Sequence, residues 1–270
     1  MNVFPTMDDG ADSVSGEVKR FRVVKTIPIS QKLADLQLEP TQASQGLTER
    51  TLNRLSVGIG DENTRVNIEG TELRLRVPRE IVPFLPVFAF LDGYLALHPR
   101  AILAIDGPSA SGKTTLSRWL SAVYGCETIH MDDYFLPRER AVSERLAESG
   151  GNIDQERFVE EVVLPLRKFL PLVVRKFDCG TQTLSEPIAL TPTRLLVVEG
   201  VYALHPKFRS LYDLTIFLDV SPSQKAFRIL RRNGLNLKRT WKHLTVWIPL
   251  ENRYFRTESL RGNTDVYLRT

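Results

Sequence analysis

The string Gly107-Pro108-Ser109-Ala110-Ser111-Gly112-Lys113-Thr114 constrains this chain more than any other. It fits G-x-x-x-x-G-K-[ST] and directly follows the apolar run Ala101–Ile105. A short continuous apolar run predicts a strand buried on both faces, and Thr114–Val123 reads as a helix. Between strand and helix each residue type has a reason. Glycines let several backbone N–H groups converge on one anion, and the following helix adds its positive N-terminal end. Lys113 can reach the outer phosphates of a triphosphate, and the Thr114 hydroxyl can ligate Mg²⁺. The expected phosphate site is Gly107, Ser109, Ala110, Ser111, Gly112, Lys113, Thr114 and Thr115.

Further apolar runs follow at Glu127–Met131, Leu172–Lys176, Arg194–Val198 and Leu214–Leu218. Helical patterns separate several of them, notably Gln155–Phe169 and Ser223–Arg232. Strand–helix alternation predicts an α/β fold, a parallel sheet with helices on both faces. Before His98-Pro99 the pattern differs. Residues 1–16 read as a frayed tail, Val18–Ile29 as a strand, Leu47–Leu55 as a short helix, and Pro86–Leu97 as an apolar helix. Alternation around Glu69-Gly70 predicts a hairpin with strands near 65–69 and 72–77. The expected organisation is a small appended α+β region, residues 1–97, before a P-loop domain, residues 98–270.

Ligands of open parallel sheets bind beyond the carboxyl ends of the strands. Asp132 and Asp133 follow the run Glu127–Met131, and Glu199 follows Leu195–Val198. Beside a phosphate cradle, such acids suit phosphoryl transfer, which needs an acid on the metal side and a group to take the nucleophile's proton. An acid after a strand can equally be a helix cap or loop residue. From Val220 to Leu250 there are seven basic residues and no acidic one, with Arg228, Arg231 and Arg232 on one helix face. A mobile arginine lid over the transferred phosphate suits the neighbouring motif better than a nucleic-acid face or a solvated helix.

With 42% hydrophobic and 25% charged residues, the 270-residue chain is an ordinary globular one, and disorder is excluded as its main state. A net charge of +4 is too small to announce nucleic acid as a partner. Cys126 and Cys179 cannot frame a disulfide scaffold, so a reduced, cytoplasmic protein is expected. The acidic N-terminus lacks the layout of a secretory signal. The longest apolar stretch, Ile81–Leu91, is about half a membrane span and contains Pro83 and Pro86, so no membrane partner is expected.

Taken in order, IDGPSASGKTT, MDDYF, NIDQERF, VEGVYALHP, FRILRRNG and WIPLENRYF resemble the uridine kinase-like family of P-loop kinases, over about Ala101 to Leu268. The resemblance implies a three-layer P-loop nucleoside triphosphate hydrolase fold. It also implies ATP and Mg²⁺, and transfer of the γ-phosphate to a primary hydroxyl of a small molecule, commonly a nucleoside. By match to the family strings, Asp132 would be the base that takes the hydroxyl proton. Tyr134 would lie beside the acceptor, Asp154 would hold ribose hydroxyls, and Glu199 would be the metal-side acid. Arg228 and Arg231 match the start of the lid, with Arg239 further along it as a nucleotide contact. Two departures touch the acceptor. Phe177 and Gln182 stand where pyrimidine kinases carry a tyrosine and a histidine, and Gln155-Glu156 replaces the usual His-Pro. A pocket without those polar partners should accept a different ring. Nicotinamide riboside, pantothenate and sugar phosphates are therefore alternative acceptors, and a non-kinase nucleotide-dependent regulator is the alternative class.

Overall fold

The computed structural model describes residues 21–22, 62–68, 71–77, 79–191, 193–234, 236, 240–241 and 243–270. Six strands make one parallel sheet in the order β1-β12-β11-β4-β10-β5. They are β1 (Phe21–Arg22), β4 (Ala101–Asp106), β5 (Glu127–His130), β10 (Leu195–Glu199), β11 (Leu214–Asp219) and β12 (Val266–Arg269). β2 (Glu62–Ile68) and β3 (Thr71–Val77) form the expected hairpin, an antiparallel pair of their own. Apart from Phe21–Arg22, the strand expected at 18–29 lies outside the described residues, as do the 1–16 tail and the 47–55 helix.

Alternate residues of the central strands feed two cores, one on each face. Leu103, Ile105, Val197, Ile216 and Leu218 face one side, where α1 (Leu85–Leu97) and α2 (Lys113–Tyr124) pack. Ala104, Leu196, Val198 and Phe217 face the other, against Phe158, Phe208 and Tyr254. Phe158 belongs to α3, residues 155–167, whose middle turn Val159–Val163 is wound as π-helix. Pro165 lacks an N–H and crowds the carbonyl one turn earlier, and the wider turn accommodates it. The remaining long helices are α4 (Pro222–Asn233) and α5 (Ile248–Thr257).

Two features differ from expectation. Leu172–Lys176 supplies no strand of the main sheet. Only Val173–Val174 is extended, as β6 of an antiparallel pair with β9 (Ile188–Ala189). Val173 is exposed and Arg175-Lys176 follows, so this segment cannot be covered on both faces. β7 (Phe177–Asp178) and β8 (Thr183–Leu184) form the next small pair. The main sheet instead gains β12, whose Val266, Tyr267, Leu268 and Arg269 are too short an apolar pattern to stand out in the sequence.

The stretch before residue 98 also joins the core. Ile81, Phe84, Phe88 and Leu91 are almost fully buried in the same cluster as β4 and α2. Each large apolar side chain so buried stabilises the fold by about 1.5–3 kcal/mol, and a boundary at residue 98 would cut through this packing. Glu80–Leu97, with mean hydropathy 1.6, is long and apolar enough to cross a membrane. Its burial against the sheet identifies it as a core helix.

Candidate active site

Strand register sets the floor of the site. Pairing brings Glu199 level with Ile105 on one side and His130 on the other, while Phe217 faces Asp106. The loop from Gly107 to Gly112 rises from this edge, and α2 starts at Lys113. Gly107 has φ +147°, and a Cβ there would lie 2.0 Å from the Leu218 carbonyl oxygen, so no other residue fits. Lys113 Nζ lies on its own loop, donating to the carbonyls of Gly107 (2.8 Å) and Pro108 (3.0 Å). The first-turn N–H groups of α2 have no intrahelical acceptor, and the buried Ser111 hydroxyl has no protein partner. Converging unpartnered donors beside a lysine form a site for a polyphosphate.

Asp132 and Glu199 stand beside that loop. Glu199 is buried and accepts from Thr114 Oγ1 (3.0 Å), and its Oε1 lies 2.7 Å from His130 Nδ1. Burial acts to raise its pKa, but the His130 hydrogen bond and the charges of Lys113 and His130 outweigh it, and the carboxyl titrates below its ordinary value. The Glu199 contact in turn raises His130. Asp132 moves upward, because burial exceeds the pull of Lys113. No cluster of three or more His, Cys, Asp or Glu side chains suited to a metal occurs among the described residues. Thr114 and Glu199 suit Mg²⁺ nonetheless, since this hard ion takes few protein oxygens and completes its shell with phosphate and water.

A third carboxylate enters from α5. Glu251 accepts the backbone N–H of Ser109 (3.1 Å), the Ser109 hydroxyl, and Nζ of Lys225 on α4 (2.8 Å). Both ends of this ion pair are buried. Burial acts to raise Glu251, and Lys225 more than offsets it, so the carboxylate is held in its charged form. Arg228 Nη1 donates to the Ala110 carbonyl and to Thr270 Oγ1, each at 3.0 Å. Arg231 and Arg232 line the cleft over the loop, which encloses about 540 Å³. Arg239 lies outside the described residues.

A second cavity of about 330 Å³ adjoins the first. Asp132, Ser109, Val201 and Arg232 line both. Its further walls include Phe135 and Trp247, with ring centroids 5.2 Å apart, Tyr202 and Asn152. The other residues expected at the acceptor line neither cavity. Asp154 caps α3 by accepting from Arg157 N (3.2 Å) and pairs with Arg140 Nη1 (2.7 Å). Tyr134 is buried, its hydroxyl on Glu161 and Arg157 over its ring. Phe177 is buried in β7. Gln182 is half-buried and bonded to Arg138 N and the Cys179 carbonyl. The structure thus gathers Lys113, Thr114, Asp132, Glu199, Arg228 and Arg231 at one cleft and sets these four apart. Sequence reading missed Glu251 with its partner Lys225, His130, and Phe84 against the loop. Of these only His130, next to MDDYF, carried a local signal.

A parallel sheet with the glycine-rich loop after β4, acids at the ends of β5 and β10, and helices on both faces is the P-loop α/β fold. Solved structures are similar to this chain. A possible uridine kinase from Bacillus stearothermophilus superposes with TM-score 0.50 at 22% identity, over 66% of this chain and 95% of that one. A protein assigned as a candidate fructose transport system kinase from Silicibacter sp. TM1040 gives TM-score 0.48 at 18% identity, over 66% of this chain and 97% of its own. No protein-family model and no curated protein matches the sequence.

Proposed function

We propose that this protein is a small-molecule kinase that moves the γ-phosphate of ATP to a hydroxyl group. One observation carries the reading: Asp132 lies where the phosphate cleft and the second cavity meet, and lines both. An acceptor held in the second cavity presents its hydroxyl to that carboxylate. Asp132 takes the hydroxyl proton, the acceptor oxygen bonds to the γ-phosphorus, and the bond from phosphorus to the β,γ-bridging oxygen breaks to release ADP. Lys113, the α2 N-terminus, Arg228 and Arg231 hold the charge that develops on the transferred group. Thr114 and Glu199 would hold Mg²⁺, which when bound neutralises phosphate charge.

The family resemblance makes a pyrimidine nucleoside the first acceptor to test. Asp154, Phe177 and Gln182 lie off the cavity, which favours a ring-bearing alcohol gripped by Phe135, Trp247 and Tyr202. The test is incubation with ATP–Mg²⁺ and uridine, cytidine, nicotinamide riboside, pantothenate and sugar phosphates, read by mass spectrometry. A gain of one phosphate on a ring-bearing acceptor is expected. ATP consumption with no acceptor phosphorylated would replace this reading with the regulatory one.

A further inference from the structure

The phosphate cleft has two ends. Asp132 and Glu199, beyond β5 and β10, mark the end where phosphate would be transferred. The opposite end lies on the other side of β4, toward β12, whose terminus leads to Thr270. A triphosphate with its γ-phosphate at the acids directs its nucleoside to this far end. The cleft walls that the second cavity does not share include Glu80, Pro83 and Phe84, in the turn just before α1. This segment precedes the part of the chain that resembles the kinase family.

The turn is tied to the loop and to α2. A Cβ built on Gly112 would stand 3.1 Å from Phe84 Cζ, so the ring lies directly against the last glycine of the cradle. Phe84 is itself buried, fixed in the core under α1. Glu80 Oε1 accepts from Trp119 Nε1 at 3.0 Å, one turn along α2 from Thr115, which also lines the cleft. Trp119 thereby holds an exposed carboxylate at the rim. A carboxylate repels phosphate but accepts hydrogen bonds from ribose hydroxyls or an exocyclic amine.

We infer that Glu80, Pro83 and Phe84 form the nucleoside-side wall of the donor site, with Glu80 reading the ribose or base of the triphosphate. The inference rests on the kinase reading above and assigns the segment before α1 a direct part in the donor site. Inorganic tripolyphosphate separates the two claims, because it carries the phosphates without the nucleoside. Calorimetry would compare ATP and tripolyphosphate binding to the full chain and to Glu80→Ala and Phe84→Leu, each with Mg²⁺.

Wild type should bind both ligands. Glu80→Ala should bind ATP roughly tenfold more weakly, in line with one charge-assisted hydrogen bond, with tripolyphosphate affinity unchanged. Phe84→Leu, which keeps an apolar side chain in the core, should shift ATP in the same direction. Equal loss for both ligands, or unchanged ATP affinity in both variants, would overturn the nucleoside-side assignment and leave the cradle intact. Failure of wild type to bind either ligand would overturn the cradle itself.

Discussion

At the scale of single residues, Asp106 shows how the fold and the phosphate loop share one carboxyl group. It is fully buried and accepts from Gly107 N (2.6 Å), Leu204 N (2.9 Å) and the Tyr254 hydroxyl (2.7 Å). Burial pushes its pKa from 3.8 up to about 6, although these donors and Lys113 pull the other way. The folded state therefore keeps this proton in a range where the unfolded chain has released it. The contribution of Asp106 to stability falls as pH rises through about 4 to 6, by about 3 kcal/mol in all. Relative to Asp106→Asn, wild type should gain stability as pH drops from 7 to 5, measured by urea denaturation at each pH. A pH-independent difference would contradict the assignment. The sequence shows only an acid at the end of an apolar run, because Leu204 and Tyr254 lie 98 and 148 residues further on.

At the scale of elements, the Lys225–Glu251 pair joins α4, α5 and the phosphate loop through one carboxylate. The sequence shows an acid-free interval ending at Leu250, and Lys225 reads there as one cation among seven. The first acid beyond that interval is Glu251, and the fold returns it to Lys225. Removing one partner of a buried pair leaves a charge without compensation, at a cost of about 3–5 kcal/mol. Lys225→Met and Glu251→Gln should each destabilise the protein. The double variant should lose less than the two losses together, with a coupling on the order of 2 kcal/mol in denaturant titrations of all four proteins. Strictly additive losses would mean that the two side chains do not support each other. The mixed fate of the expected strands has a similar cause. Ala101–Ile105 and Leu214–Leu218 are apolar enough to declare burial on both faces. Leu172–Lys176 has the same length but ends in Arg175-Lys176, leaves Val173 exposed and pairs only with β9, while β12 owes its place to pairing with β11.

At the scale of the whole molecule, the loop and its acids were legible because the chemistry of phosphate binding demands particular residue types in local strings. Gly107 to Thr114 with Asp132 and Glu199 could be read without knowing the sheet order. The second cavity was not legible in this way. Its walls, Phe135, Tyr202 and Trp247, come from three separate strings, and nothing local in the sequence says that their rings meet around one cavity. Asp154, expected at the acceptor by resemblance, caps α3 through Arg157 N. The segment before His98 also looked separate, since a proline breaker follows it, yet its apolar face completes the core under the loop. What unites the account is Asp132 at the junction of the two cavities. The most direct test is a single-turnover measurement of phosphate transfer from ATP to the acceptor found in the panel, comparing wild type with Asp132→Asn. The variant should transfer phosphate about a hundredfold or more slowly with ATP affinity little changed. Transfer at the wild-type rate would show that Asp132 is not the group that takes the proton.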